Sequence, residues 1–427
     1  MQDGTNISVG ANEGPGGQWL GRFMAIWSGQ ALSLIGSQLV QFALIWYLTI
    51  QTGSATVLAL AAAAGLLPAI IVTPFAGAYV DRWKRRHVMI AADGLTALST
   101  VVLVVLFASG MVEIWHIVLI LLFRSLFAAF HWPASQAATT LLVPEKHLGR
   151  VAGMNQSLFG LASILAPPLG AVLLAFLDMQ WVLAVDVLTA LTAIVPLAII
   201  KIPEPKLRPD KKQMVLQDMR DALRYIKSWQ GALSVIGMFM IVNMLATPAF
   251  TLMPILVLDH FKGGAIDFAT VEAVSGVGML LGGLALGIWG GTKRKIVTVM
   301  GSMALAGVGV ALIGFVPSDG FIYVLILSLA VGMMFPILNG AVMAMIQATV
   351  PAGMQGRVLA LLSSGAMAMS PIGLAIGGPV ADSLGIQLWF IIAGTAMTVL
   401  GLAAFLMPSV MSIESRAGMV RSEESSS

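Results

Sequence analysis

The chain contains no cysteine, which excludes disulfides, thiolate zinc sites and iron–sulfur clusters. Charge is scarce as well. Asp, Glu, Lys and Arg make up 10% of the 427 residues, against about a quarter in soluble domains. The five histidines are scattered and form no HExxH or similar metal pair, so no metal or other cofactor is implied. There is no nucleotide-binding P-loop and no GxSxG placed for a serine nucleophile. An enzyme is therefore not expected, and transport driven by ATP would need a separate ATPase partner. Nothing points to nucleic acid. Residues 1–18 are polar and glycine-rich, with no basic stretch leading into a short apolar core, so no cleavable signal is expected and the first apolar run should stay as a span. What remains is apolar: 58% hydrophobic residues and a mean hydropathy of +0.93. That composition reads as an integral membrane protein.

A spanning helix needs roughly 20 apolar residues. Runs of that kind fall at 22–49, 55–80, 88–109, 115–142, 151–176, 180–201, 231–258, 270–290, 296–316, 321–349, 357–382 and 386–408. They are long and continuous, not short and alternating, and open strands leave backbone groups unsatisfied in lipid. The fold class expected is all-α, with twelve spans in two six-helix bundles. The divisions are an N-terminal tail (1–21), a first bundle (22–201), a linker (202–230), a second bundle (231–408) and a C-terminal tail (409–427).

All but two of the 23 Lys and Arg residues lie in the tails or in every second connection; the exceptions are Lys262 and Arg124. The positive-inside rule then puts both termini in the cytoplasm of a multi-pass cell-membrane protein. Within the linker, Val215, Met219, Ala222 and Ile226 repeat at helical spacing beside Arg220, Arg224 and Lys227. This reads as an interfacial amphipathic helix, with a solvated linker as the alternative. The halves repeat: "VPEKHLGRV" at 143–151 and "VPAGMQGRV" at 350–358 share V-P-x-x-x-x-G-R-V in equivalent connections. The basic turn 82–86 has a partner in "GTKRK" at 291–295. Two parallel six-helix halves mark a transporter architecture.

G-x-x-x-D-R-x-x-R-R at 77–86 resembles the loop 2–3 signature of the major facilitator superfamily, with Trp83 where that signature has a glycine. The resemblance implies a cytoplasmic charge relay through Asp81, Arg82, Arg85 and Arg86, with Asp93 close enough to join it. Arg124 resembles the buried arginine of the drug:proton antiporter signature, and "APPLGA" at 166–171 resembles the span 5 motif. "AIWSGQALSLIGS", "FRSLFAAFHWPA", "LLVPEKHLGRVAGMNQSL" and "AVDVL" are similar to the macrolide-efflux (Mef-type) branch. That likeness, from about Phe23 to Pro408, implies an exporter of hydrophobic compounds, typically macrolides, working as a monomer against a proton gradient. Export of an endogenous amphiphile such as a siderophore or lipid is the alternative. A non-transporting receptor or scaffold has no soluble domain to support it.

The residues suggest where such a substrate would sit. Gln30, Ser33, Ser37 and Gln41 share one face of span 1, and Arg124, His131 and Ser135 one face of span 4, with Phe127 nearby. On span 7 Asn243 and Thr247 cluster with Phe250, and on span 10 Asn339 lies near Met343. These four spans are equivalent by the repeats, so a central cavity is expected; interhelical hydrogen bonding alone is the competing account. Arg124, costly in lipid, should face water or a partner; it reads either as functional or as structural, tying span 4 to span 1 through Gln30 or Ser33. Asp186 and Asp93 are the candidates for proton coupling, with His131 as another. Asp186, flanked by apolar residues, reads either as an unpaired acid that carries the proton or as an acid in a structural hydrogen bond to a neighbouring span. Glu272 and Asp382 read as interfacial, and span 1 has no carboxylate.

Overall fold

The computed structural model describes residues 18–80, 83–202, 224, 226, 229 and 231–414. Its twelve long helices are α1 (Gln18–Thr52), α2 (Ala55–Val80), α3 (Arg85–Ala108), α4 (Ile114–Leu142), α5 (Leu148–Phe176), α6 (Met179–Ile199), α7 (Ala232–Thr251), α8 (Ala265–Trp289), α9 (Lys295–Phe315), α10 (Phe321–Thr349), α11 (Ala352–Leu384) and α12 (Ile386–Phe405). All twelve are long and apolar enough to cross a membrane. The protein is a multi-pass membrane protein, all-α, with two six-helix bundles. A helix satisfies its own backbone, so such apolar runs have no other stable form in lipid. A short α13 (Pro408–Met411) follows α12.

Helix α8 is longer than the hydropathy suggests, because a polar residue at its start is used as a cap. Asp267 Oδ2 accepts the Gly264 backbone N–H at 2.7 Å, so α8 begins five residues before the apolar run. At the other end Gly290, at φ 73°, closes the helix in the left-handed conformation that glycine adopts without penalty. Span 7 is broken: after α7 the chain continues through Met253–Ile255 and a π-turn at Leu256–His260, next to Pro248 and Pro254.

The sequence repeat has a structural meaning. Val143 and Val350 close α4 and α10, their N–H groups bonding to Thr139 and Ile346 at 3.0 and 2.9 Å. Pro144 and Pro351 then start the next turn, and Val151 and Val358 are both buried. The packing repeats too. In the first bundle α1 packs on α5 and α6, α2 on α4, and α3 on α4 and α6; adding six to each number gives pairings that also occur in the second bundle. The main contacts between bundles, α2 with α11 and α5 with α8, obey the same relation.

At the outer side the bundles are joined. Gly378 of α11 lies against Ala55, Thr56 and Ala59 of α2. Phe268 stacks on Phe42 at 5.1 Å and on Trp46 at 5.9 Å between ring centroids. The outer side is shut.

The loop 2–3 turn is described only from Trp83 onward; Asp81 and Arg82 lie outside the described residues. Arg86 Nε donates to the Leu197 carbonyl at 2.5 Å, and its Nη2 bonds Ala198. A cation at the C-terminus of α6 is favoured by the helix dipole. Arg85 is half-buried at the first turn of α3. Lys295 repeats the device in the second bundle, donating to the Gly290 carbonyl at the end of α8 at 2.7 Å. Of the amphipathic segment expected in 202–230, most lies outside the described residues; Ile226 is 1% exposed within the apolar core of the second bundle.

Candidate functional site

A cavity of about 660 Å³ lies between the bundles. α1 supplies its polar wall with Gln30, Ser33, Ser37, Gln38 and Gln41. This follows from the helical spacing, which keeps those side chains on one face. Asp93 and Thr96 of α3 and Arg124, Ser125 and His131 of α4 continue the wall. The second bundle closes the cavity with Phe250 and Thr251 from the end of α7, and Phe268 and Glu272 from the start of α8. A smaller recess of about 210 Å³ lies between α1, α5 and α8, and Glu272, Gln38, Gln41 and Phe268 border both spaces.

Arg124 is held from α6 and α3, so the structural reading that ties it to α1 directly through Gln30 or Ser33 is not what the structure shows. Its Nη1 donates to Asp186 Oδ2 at 2.5 Å and also bonds Thr100. Asp186 is 1% exposed and accepts two further hydrogen bonds, from Ser37 and Thr100, each at 2.8 Å. Of the two readings of Asp186, the structure shows the structural one: its carboxylate is bonded to neighbouring spans and is not unpaired. The apolar neighbours in its own sequence pack elsewhere, while its carboxylate points at an arginine on another helix. The cluster joins α1, α3, α4 and α6 and leaves no net charge in lipid, where an unpaired arginine would cost roughly 2.5–3.5 kcal/mol.

Asp93, expected beside the cytoplasmic loop, instead faces the cavity. It accepts a hydrogen bond from Gln30 at 2.9 Å, and His131 Nε2 stands 3.2 Å from its other oxygen. It lies more than two turns into α3, too deep to join the ends of the loop.

The structure thus gathers Gln30, Ser33, Ser37, Gln41, Arg124, His131, Asp93 and Phe250 around one space. It does not place the other candidates on that wall. Phe127 lines a separate groove of about 590 Å³ with Trp83 and Phe130. Ser135 is half-buried one turn beyond His131. Asn243 donates to the Phe239 carbonyl of its own helix at 3.0 Å, and Thr247 to Ser370 on α11 at 3.0 Å. Asn339 and Met343 are exposed on α10. The second bundle borders this space through Phe250 and Thr251 at the end of α7 and Phe268 and Glu272 near the start of α8, and its more cytoplasmic positions do not line it.

Two carboxylates read as interfacial have more specific places. Glu272 lies about two turns inside α8, because α8 starts earlier than its hydropathy. Asp382, at the end of α11, accepts the backbone N–H groups of Ala55 and Thr56 and the hydroxyl of Ser54. The signal for Glu272 was Asp267 five residues before it, a residue suited to capping a helix start. For Asp382 the sequence held no signal, because its partners are over 320 residues away.

A family model described as Major Facilitator Superfamily matches residues 26–373. Macrolide efflux protein A of Streptococcus pyogenes is 32% identical over 403 residues, covering 93% of this chain and 98% of that protein. The multidrug efflux pump Tap of Mycolicibacterium fortuitum is 27% identical over 396 residues, covering 89% and 94%. Among solved structures, the nucleoside transporter NupG superposes with a TM-score of 0.70 at 14% identity, covering 90% of this chain and 98% of that one. At that identity the likeness concerns the fold alone.

Proposed function

Because the chain belongs to the Major Facilitator Superfamily, we propose that it exports macrolide-like hydrophobic compounds from the cell by alternating access, driven by the proton gradient. It is a membrane transporter of small hydrophobic or amphiphilic molecules and not an enzyme. The observation that carries the finer reading is the cavity between the bundles, polar along α1 and α4 and aromatic at Phe250 and Phe268. Such a site suits a bulky apolar ligand with a few polar groups. The likeness to macrolide and multidrug efflux proteins over nearly the whole chain supports the same reading.

In this proposal Gln30, Ser33, Ser37, Gln41, His131 and Phe250 contact the substrate. Arg124 and Asp186 hold the first bundle together behind them. With the outer side shut, substrate loads from the cytoplasm. The bundles then rock about their α2–α11 and α5–α8 contacts, and the loop 2–3 cluster of Asp81, Arg82, Arg85 and Arg86 forms on the cytoplasmic side as that side closes. A ligand shifts such an equilibrium only as far as it binds the two states differently.

The test is accumulation of radiolabelled macrolide in everted membrane vesicles, with and without an imposed pH gradient. Gradient-dependent accumulation is the expected result. Accumulation of an endogenous amphiphile with none of macrolide would move the assignment to the alternative substrate. No gradient dependence would remove the proton from the cycle.

A further inference from the structure

The groove of about 590 Å³ between α3 and α4 plays no part in the cavity between the bundles. Ala91 and Leu95 of α3 line it, and each lies two positions from Asp93, which faces the cavity. Two positions are about 200° around a helix. The groove therefore opens away from the cavity, toward lipid, and both residues are exposed. Phe127 and Phe130 of α4 form the facing wall. At the cytoplasmic end the lining changes character: Trp83, Lys84 and His87 stand there, all exposed. Trp83 lies beside Tyr79 of α2, with 6.0 Å between ring centroids. Trp and Tyr settle at the level of the lipid head groups, so this end of the groove marks the membrane surface.

Length and charge say what fits. From Lys84 to Leu95 the helix rises about 16 Å. One leaflet of the hydrocarbon core is about 15 Å deep, half of the whole. The apolar part of the groove thus matches an acyl chain over the depth of the cytoplasmic leaflet. At its mouth Lys84 brings an ammonium group, His87 a ring N–H, and the start of α3 a partial positive charge. No carboxylate among the described residues lines the groove. Basic pockets between spans on the cytoplasmic side suit anionic head groups. We propose that this groove binds an anionic phospholipid of the cytoplasmic leaflet, its phosphodiester against Lys84 and His87 and one acyl chain running up to Leu95. The seat is the first turn of α3, where Arg86 holds the carbonyl end of α6. An occupied groove therefore steadies the cytoplasmic ends of α3, α4 and α6 together. The site faces away from the cavity, so it stands or falls independently of the export reading.

The experiment uses the full chain in detergent, titrated with dioleoylphosphatidylglycerol or dioleoylphosphatidylcholine, with bound lipid counted by native mass spectrometry. The two lipids share their acyl chains and differ in head-group charge. The unsubstituted protein should hold the anionic lipid more tightly. Lys84→Gln should weaken that binding about fivefold, as expected for one basic side chain at an anionic head group, and leave the zwitterionic lipid unchanged. Lys84→Arg should bind as before. Ala91→Trp fills the groove while keeping every charge, and it should also weaken binding of the anionic lipid. Lys146→Gln combined with Lys293→Gln removes two exposed cytoplasmic lysines elsewhere and should change nothing. Equal affinity of the unsubstituted protein for the two lipids overturns the proposal. So does a loss in the Lys146/Lys293 variant as large as that in Lys84→Gln, which would mean diffuse attraction to a basic surface. Unchanged binding in a monodisperse Ala91→Trp would show that the groove holds no chain. Displacement of the anionic lipid by a macrolide that Ala91→Trp no longer permits would give the groove to substrate instead and likewise overturn the assignment.

Discussion

Asp382 Oδ1 accepts the backbone N–H of Ala55 at 2.6 Å, so an acid from the second bundle caps the first turn of a helix in the first. Its other oxygen accepts the Thr56 N–H and the Ser54 hydroxyl, each at 2.9 Å. A helix start carries free N–H donors and partial positive charge, and a carboxylate satisfies both. Here the cap is also a fastening between two bodies.

Removing that fastening should favour states open to the outside. Loss of an N-cap costs about 1 kcal/mol, or roughly a fivefold shift between two states. The cysteine-free chain gives a clean probe: Gln38→Cys, deep in the cavity, provides the sole thiol. Asp382→Ala should raise its labelling by a membrane-impermeant maleimide added from outside about fivefold. An unchanged rate would mean that the cap does not hold the outer side shut.

Arg124 and Asp186 should behave as one unit. Arg124→Ala leaves a buried carboxylate without its counter-charge, a loss of about 3–5 kcal/mol in comparable pairs. Arg124→Lys keeps the charge without the planar fork and should lose less. The double variant Arg124→Leu with Asp186→Leu should be closer to the unsubstituted protein than Arg124→Ala. Thermal unfolding followed by size-exclusion fluorescence reads all three. Equal losses for Ala and Lys would show that charge is not what the site requires.

Two adjacent glycines of α8 make a sharp contrast. A methyl group at Gly282 would overlap the Met333 backbone on α10, whereas at Gly283 it would meet open space. Gly282→Ala should force the helices apart and destabilise by about 1–3 kcal/mol, as overpacking does. Gly283→Ala should be neutral or slightly stabilising, by up to ~1 kcal/mol, since alanine favours the helix. The same unfolding assay compares them, and similar stabilities would argue against close α8–α10 packing.

Phe268 roofs the cavity by stacking on Phe42 and Trp46 of α1. Phe268→Ala removes the ring from a buried position, 4% exposed, and opens the outer seal. Buried Phe→Ala changes cost about 3–5 kcal/mol. The Gln38→Cys thiol should then react faster from outside, as with Asp382→Ala, and the two effects should combine. An unaltered rate would place the seal elsewhere.

Much of this was legible along the chain. Twelve apolar runs, the basic residues in alternate connections and the V-P-x-x-x-x-G-R-V repeat gave the spans, their orientation and their pairing, because each is a local pattern. Arg124 was conspicuous as a cation among apolar residues. Its partner was not, because Asp186 lies 62 residues away on a helix whose facing cannot be read from hydropathy. Glu272 was misplaced by a turn and more, since Asp267 lowers local hydropathy while extending the helix. Asn339 and Met343 share a face with the expected site in the repeat, yet the second bundle lines the cavity with the end of α7 and the start of α8 instead. Helical periodicity gives a residue's direction, and only packing gives its distance.

The bundles meet chiefly through two helix pairs, α2 with α11 and α5 with α8, while every other major packing pair stays within one bundle. One apolar cluster runs across both bundles, through Phe42, Trp46 and Phe268, but each bundle also buries clusters of its own, and the chain could be divided without cutting through those. Residues 202–230 act in one respect as a tether: they turn the encounter of two half-proteins into an intramolecular event at high effective concentration. Halves made as separate polypeptides in one membrane would have to find each other by lateral diffusion. Complementation between them would then depend on expression level, in a way that the intact chain does not.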